Sequence, residues 1–152
     1  MSNDDPAAGV LIASRALVGV AARSLAAVED DVTLTQYRAL VLLGTHGEQN
    51  VGALARALTI HPSTTTRLCD RLAAKGLITR TPSAASRREI TLQITDAGAR
   101  LLRTVTTRRR REIRGILNRL SPEQQQRVSR AFDAFGRAAG ELPDDAWKLG
   151  WT

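Results

Sequence analysis

Thr59-Ile60-His61-Pro62-Ser63-Thr64-Thr65-Thr66-Arg67-Leu68-Cys69-Asp70-Arg71-Leu72-Ala73-Ala74-Lys75-Gly76 is the stretch on which the fold turns. Proline is best tolerated at the first helical position, so Pro62 opens a helix there, and Gly76 is a left-handed stop that ends it. At 3.6 residues per turn Thr65, Leu68, Cys69 and Leu72 share one face, leaving Ser63, Thr64, Thr66, Arg67 and Arg71 outward. Just before the turn, Val51-Gly52-Ala53-Leu54-Ala55-Arg56-Ala57-Leu58 forms a short helix with Leu54 and Leu58 inward. Just after Gly76, Leu77–Thr81 and Glu89–Ile94 are β-prone, and Pro82-Ser83-Ala84-Ala85-Ser86-Arg87-Arg88 makes a flexible tip between them.

Further out the pattern is helical. Val10, Leu11, Ser14, Leu17, Val18, Ala21, Leu25 and Val28 mark an amphipathic helix over roughly 8–28, after a disordered-looking start. Thr33-Leu34-Thr35-Gln36 reads as a capping box for a helix with Tyr37, Leu40, Val41 and Leu43 inward, stopping near Gly47. Thr95 caps a long helix reaching about Leu120. Ser121-Pro122-Glu123-Gln124 caps a last one, with Val128, Ala131, Phe132, Phe135 and Ala139 on one face. No repeats or low-complexity tracts appear, although Arg108 to Arg111 is a run of four arginines whose default reading is a solvated face.

Composition narrows the chemistry. The 152 residues, 43% of them hydrophobic, suit one domain or two small lobes sharing a core. The acidic start Met1-Ser2-Asn3-Asp4-Asp5 does not resemble an export signal, and no apolar run approaches the ~20 residues of a membrane span, so no membrane partner is expected. Cys69 is the only cysteine; it fits a reducing cytoplasm and packs as a small hydrophobe on the inner face. His46, Glu48 and His61 do not make a tetrahedral set, so no metal and no cofactor are expected, and no nucleophile–base pair points to an enzyme. Asp30-Asp31 and Asp144-Asp145 read as solubilising pairs. Trp147 and Trp151 imply that the tail packs on other helices.

Charge is uneven. Residues 50–120 carry 15 basic and 4 acidic side chains, whereas the rest carries 7 basic and 11 acidic. A positive middle between acidic flanks points to a polyanion, and Arg, which makes up 20 of the 22 basic residues, suits phosphates and guanine edges. Two short helices, a tight turn and a basic hairpin together make a winged helix-turn-helix. The helix from Pro62 is narrow enough for the major groove of DNA, and the hairpin tip reaches the adjacent minor groove. The DNA-contact set is Ser63, Thr64, Thr66, Arg67, Arg71, Arg80, Arg87 and Arg88. The fold class is mainly α with a small β-hairpin wing.

These residues resemble the MarR (multiple antibiotic resistance regulator) family from about residue 10 to 142. The resemblance lies in the Leu34-Thr35-Gln36 opening, Leu54-Ala55, the run Pro62 to Leu72 with Asp70-Arg71, Lys75-Gly76-Leu77-Ile78 with Arg80, Arg87-Arg88, and Ile94-Thr95 with Gly98. It implies a homodimer in which N- and C-terminal dimerisation helices (residues 1–31 and 96–152) surround a winged lobe (residues 32–95). It further implies a repressor on a pseudo-palindromic operator, released by a small aromatic or lipophilic effector. The effector cleft would lie between the first, second and fifth helices, with Arg15, Tyr37 and Arg38 as its residues. Family wings carry an acid at position 86, which pairs with the arginine at position 88. Here Ser86 stands there, a weaker partner, and implies a looser wing with stronger nonspecific binding. The alternative reading is a low-specificity architectural DNA-binding protein.

Overall fold

The computed structural model describes residues 5–28 and 31–143. Six helices are present among them: α1 (Pro6–Ala26), α2 (Leu34–His46), α3 (Val51–Leu58), α4 (Pro62–Ala74), α5 (Asp96–Leu117) and α6 (Pro122–Ala138). Three short strands, β1 (Gln49–Asn50), β2 (Ile78–Pro82) and β3 (Ile90–Ile94), form one antiparallel sheet in the order β1-β3-β2.

The helix starts follow the expected chemistry. Both capping boxes form, with Thr33 and Ser121 accepting from Gln36 and Gln124 N–H while each glutamine reaches back to its cap. Thr95 Oγ1 accepts from Gly98 N–H at 3.1 Å and donates to Gly76 O at 2.6 Å, tying the start of α5 to the turn after α4. Gly98 makes that joint possible, because a Cβ there would stand 2.3 Å from Leu77 O and 2.7 Å from Ile94 Cγ1.

α2 is the spine of the lobe. Every residue from Gln36 to Thr45 except Arg38 is buried, a far wider inward face than the four residues its amphipathic pattern marks. Around it pack Leu54, Leu68, Cys69, Leu72, Leu77, Leu92, Leu101, Leu102 and Val105, one continuous apolar cluster drawn from α3, α4, the sheet and the first half of α5. The inward face of α4 is Thr65, Leu68, Cys69 and Leu72, as the periodicity predicts. In α3, Ala55 is buried beside Leu54, while Leu58 is only half-buried.

Several elements differ from the sequence reading. α1 starts at Pro6, because Asp5 accepts from Ala7 N–H at 3.0 Å and caps a helix in a region that looks disordered by composition. β1 is too short to leave a hydrophobic pattern; it exists because Gln49 and Asn50 pair with Leu92 and Thr91. α1 is also, by length and composition, apolar enough to cross a membrane, since its mean hydropathy reaches 1.5 over 18 residues despite Arg15 and Arg23; this corrects the expectation that no run approaches that length. Its C-terminal half instead packs on α5, with Arg23 donating from Nε and Nη2 to Glu112 at 2.9 and 2.7 Å. The first half leaves Leu11 60% and Ile12 63% exposed, and Val18 just beyond it is 59% exposed. α6 buries no residue, and Phe132 and Phe135 are 40% and 54% exposed. Trp147, Trp151 and the pair Asp144-Asp145 lie outside the described residues.

Candidate nucleic-acid interface

The site is built on the turn between α3 and α4. Thr59 adopts φ 56° and ψ 41°, a left-handed conformation rare for a β-branched residue, and it reverses the chain after one helix and before the next. His61 is the N-cap of α4, a place where a hydroxyl or carboxamide is usual. Its Nδ1 accepts from Ser63 N–H at 3.2 Å and lies 2.8 Å from Ser63 Oγ, so the imidazole replaces the usual cap oxygen.

From that start α4 presents Ser63, Thr64, Arg67 and Arg71 exposed and Thr66 half-exposed. Thr65, fully buried, donates its hydroxyl to His61 O at 3.2 Å and satisfies itself inside the lobe. Thr66 donates to Pro62 O at 3.0 Å, which leaves its oxygen free to accept. The helix therefore offers short side chains at its tip and two guanidinium groups further back.

The wing stands beside it. Arg87 and Arg88 are exposed at the tip between β2 and β3. Two serine hydroxyls hold that tip: Ser83 Oγ accepts from Ala85 N–H at 3.2 Å, and Ser86 Oγ accepts from Arg88 N–H at 3.3 Å. Backbone bonds from Ser83 N–H to Glu89 O and from Glu89 N–H to Ser86 O close it at 2.8 and 3.1 Å. Ser86 thus restrains the backbone of Arg88 but supplies no charge for its guanidinium. Arg80 is placed differently from its companions. It is half-buried, its Nη1 is ion-paired with Asp70 of α4, and its Nε is buried without a partner among the described residues. Arg80 braces α4 against β2. Arg56 of α3, which its position in a short helix gave no reason to single out, lines the same groove as Thr66, Arg80 and Arg88.

A second cleft, of about 870 Å3, opens between α1, α2 and α5. Its floor is apolar (Leu34, Val41, Ile113 and Leu117) and its rim carries Arg38, Arg109, Arg110 and Arg114. Buried Tyr37 accepts from Arg109 Nη1 at 3.3 Å, and the same guanidinium stands 6.0 Å above the ring centroid. Arg38 donates from both Nη1 and Nη2 to Glu141, at 3.1 and 2.5 Å, across the mouth. Tyr37 and Arg38 therefore line this cleft; Arg15 does not, because it sits exposed on α1 a helical turn and a half before Ala21, the α1 residue of the lining. The arginine run divides by direction: Arg108 donates to Ala27 O at 2.9 Å outside the cleft, while Arg109 and Arg110 turn into it.

Other polar residues are taken up structurally. Burial pushes the Cys69 thiol above its ordinary pKa, against a smaller opposing pull from Arg80, so it stays protonated. Glu48 accepts from Gln93 Nε2 at 2.6 Å, and His46 Nδ1 lies 3.0 Å from Thr45 Oγ1. Among the described residues no three His, Cys, Asp or Glu side chains gather as metal ligands.

A buried-faced helix with a polar outer face, propped by a second helix and flanked by a basic hairpin, defines the class of winged helix-turn-helix DNA-binding proteins. The MarR family pattern matches residues 32–90. Over 108 residues, 71% of this chain, it is 32% identical to the HTH-type transcriptional repressor MdtR of Bacillus subtilis, covering 70% of that protein. It is 31% identical, over the same share of this chain and 68% of the relative, to the uncharacterised regulator YfiV of the same organism. The crystal structure of RV1404 from Mycobacterium tuberculosis superposes with a TM-score of 0.85 at 40% identity, covering 95% of this chain and 98% of that one. The chain belongs to the MarR family. It is a DNA-binding transcriptional regulator and not an enzyme.

Proposed function

We propose that the chain acts as a homodimeric, sequence-specific repressor that occludes a pseudo-palindromic operator in the cytoplasm and leaves it when a small aromatic or lipophilic effector binds. The observation that carries this reading is that the outer face of α4 (Ser63, Thr64, Arg67, Arg71) and the wing tip (Arg87, Arg88) are all exposed, while Thr66 of α4 and Arg88 of the wing line one groove. In this reading α4 reads base edges in the major groove, Arg88 enters the minor groove, and Arg80 works indirectly by bracing α4 against β2. MdtR, named a repressor, supports that sign of regulation.

Residues 32–95 form the DNA-binding lobe, and residues 1–31 and 96–152 the dimerisation region. The support for a second copy is the open apolar surface of α1 and α6, where Gly9, Val10, Ala13, Phe132 and Phe135 line one shallow depression. Such a surface is costly in water and is normally covered. The cleft around Tyr37 and Arg38 holds the effector, because it joins α1 and α5 to the spine of the lobe. A ligand with different affinities for two lobe spacings shifts the equilibrium between them. Its apolar floor and arginine rim suit an apolar body with an acceptor or negative group.

Fluorescence anisotropy with duplex from just upstream of the gene, against a scrambled duplex across a salt series, tests this function. The expected result is a preference of about 10³ or more for one duplex, dimer stoichiometry and weaker binding by Arg88→Ala. Because Ser86 gives the Arg88 guanidinium no charged partner, an architectural role is the second reading. Equal binding of both duplexes with a steep salt slope supports it and overturns sequence-specific repression at that site.

A further inference from the structure

On duplex DNA, one sugar-phosphate backbone separates the major groove from its neighbouring minor groove. A protein with a helix in the first and a hairpin in the second straddles that backbone. In this chain a groove of about 510 Å3 lies where the start of α3, one residue of α4 and the wing meet. Its walls bring together Arg56 from α3, Thr66 from α4, Arg80 from β2, and Arg88 and Glu89 from the wing: three guanidinium groups against one carboxylate. Arg80 is neutralised by Asp70, but among the described residues Arg56 and Arg88 form no ion pair. The Arg56 side chain folds back along α3 over Gly52, where a Cβ would stand 3.6 Å from its Nη1 and 3.5 Å from Asn50 Oδ1.

We propose that this groove is a sequence-independent phosphate clamp in which Arg56 is the gripping residue. Thr66 and the Asp70–Arg80 pair shape its floor, and Glu89 opposes the phosphate and tempers the grip. Arg88 crosses above it toward the minor groove. The clamp holds the backbone in register while α4 reads the bases, so its removal weakens binding without changing which sequence is preferred. The proposal rests on the reading of the chain as a winged-helix DNA binder, and the test separates the two.

Full-length protein would be titrated against the upstream duplex and a scrambled duplex between about 50 and 200 mM salt, as wild type, Arg56→Gln, Glu89→Gln, Arg67→Gln and Arg137→Gln. With Arg56→Gln the slope of log K against log salt should fall by about 1 on both duplexes, so the affinity lost across that range shrinks by about 3.5-fold. Glu89→Gln should tighten both. Arg137→Gln, which removes the same charge from α6, should leave the slope as in wild type. An Arg56→Gln slope equal to that of wild type, or matched by Arg137→Gln, would overturn the clamp while leaving the DNA-binding reading intact. If Arg56→Gln altered the preference between duplexes as Arg67→Gln does, Arg56 would be a base reader and the clamp would also be wrong. Wild type that binds neither duplex would remove both.

Discussion

The winged lobe and the long helices that leave it are built on opposite terms. In the lobe, α2 is buried almost all round, and Leu40, Leu43, Leu54, Leu72, Leu77 and Leu92 are each under 2% exposed or close to it. In the arms, the N-terminal half of α1 and all of α6 bury no side chain, although both carry apolar rows. α5 passes from one regime to the other: Gly98, Ala99, Leu101, Leu102 and Val105 are buried, and nothing beyond them is. The lobe meets its hydrophobic requirement within the chain. The arms present faces that need another surface, so lobe and arms should respond differently to substitution.

The largest effect should come at the joint between them. Gly98→Ala puts a methyl group into the Leu77 carbonyl, and backbone cannot step aside as a side chain can. A loss of about 3 kcal/mol in urea unfolding is expected; a loss under about 0.5 kcal/mol would mean that α5 is free to shift on the wing. Next comes the arm surface. Phe135→Asp should weaken self-association by at least about 2 kcal/mol, some 30-fold in sedimentation, while the helical signal of the lobe persists. Loss of the folded lobe as well would show that the two regions are not separable.

A smaller and opposite change is expected in the turn. Thr59→Gly relieves a β-branched residue at φ 56°, and after the added unfolded-state freedom a net gain of about 1 kcal/mol should appear as a higher unfolding midpoint. Destabilisation would show that the Thr59 side chain supports the turn in a way its backbone angles do not reveal.

The smallest effect concerns pH. The folded-state pKa of Cys69 is raised, so its contribution is fully present below the unfolded thiol value of about 8.5 and is lost as pH rises through the folded value. Wild type should therefore lose more stability than Cys69→Val between about pH 7.5 and 10. Equal losses would place the thiol in water.

Much of the lobe could be read directly because its signals are local. Pro62 and Gly76 bracket α4, the inward set Thr65, Leu68, Cys69 and Leu72 follows from a 3.6-residue period, and the Thr33–Gln36 capping box is written in four consecutive residues. β1 escaped that reading because two residues carry no period, and its pairing depends on Leu92 and Thr91, more than 40 positions away. Arg80 shows the same limit in the site. As one of several arginines near the wing it counts as a DNA contact, but Asp70 lies across the end of α4 and a turn in sequence and beside it in space. Arg56 had no motif to announce it, and only the approach of the wing to α3 gives it a role.

The order of residues was enough to establish the helix-turn-helix, its outward polar face, the basic hairpin and the family to which they belong, since period, caps and turn residues act within a few positions. Folding in three dimensions settled which arginines are held and which stand open, that Arg15 stands away from the cleft that Tyr37 and Arg38 line, and that Gly98 is the hinge stone between α5 and the wing. Those features depend on distances between segments far apart in the chain, and steric fit and ion pairing act only across such distances in space.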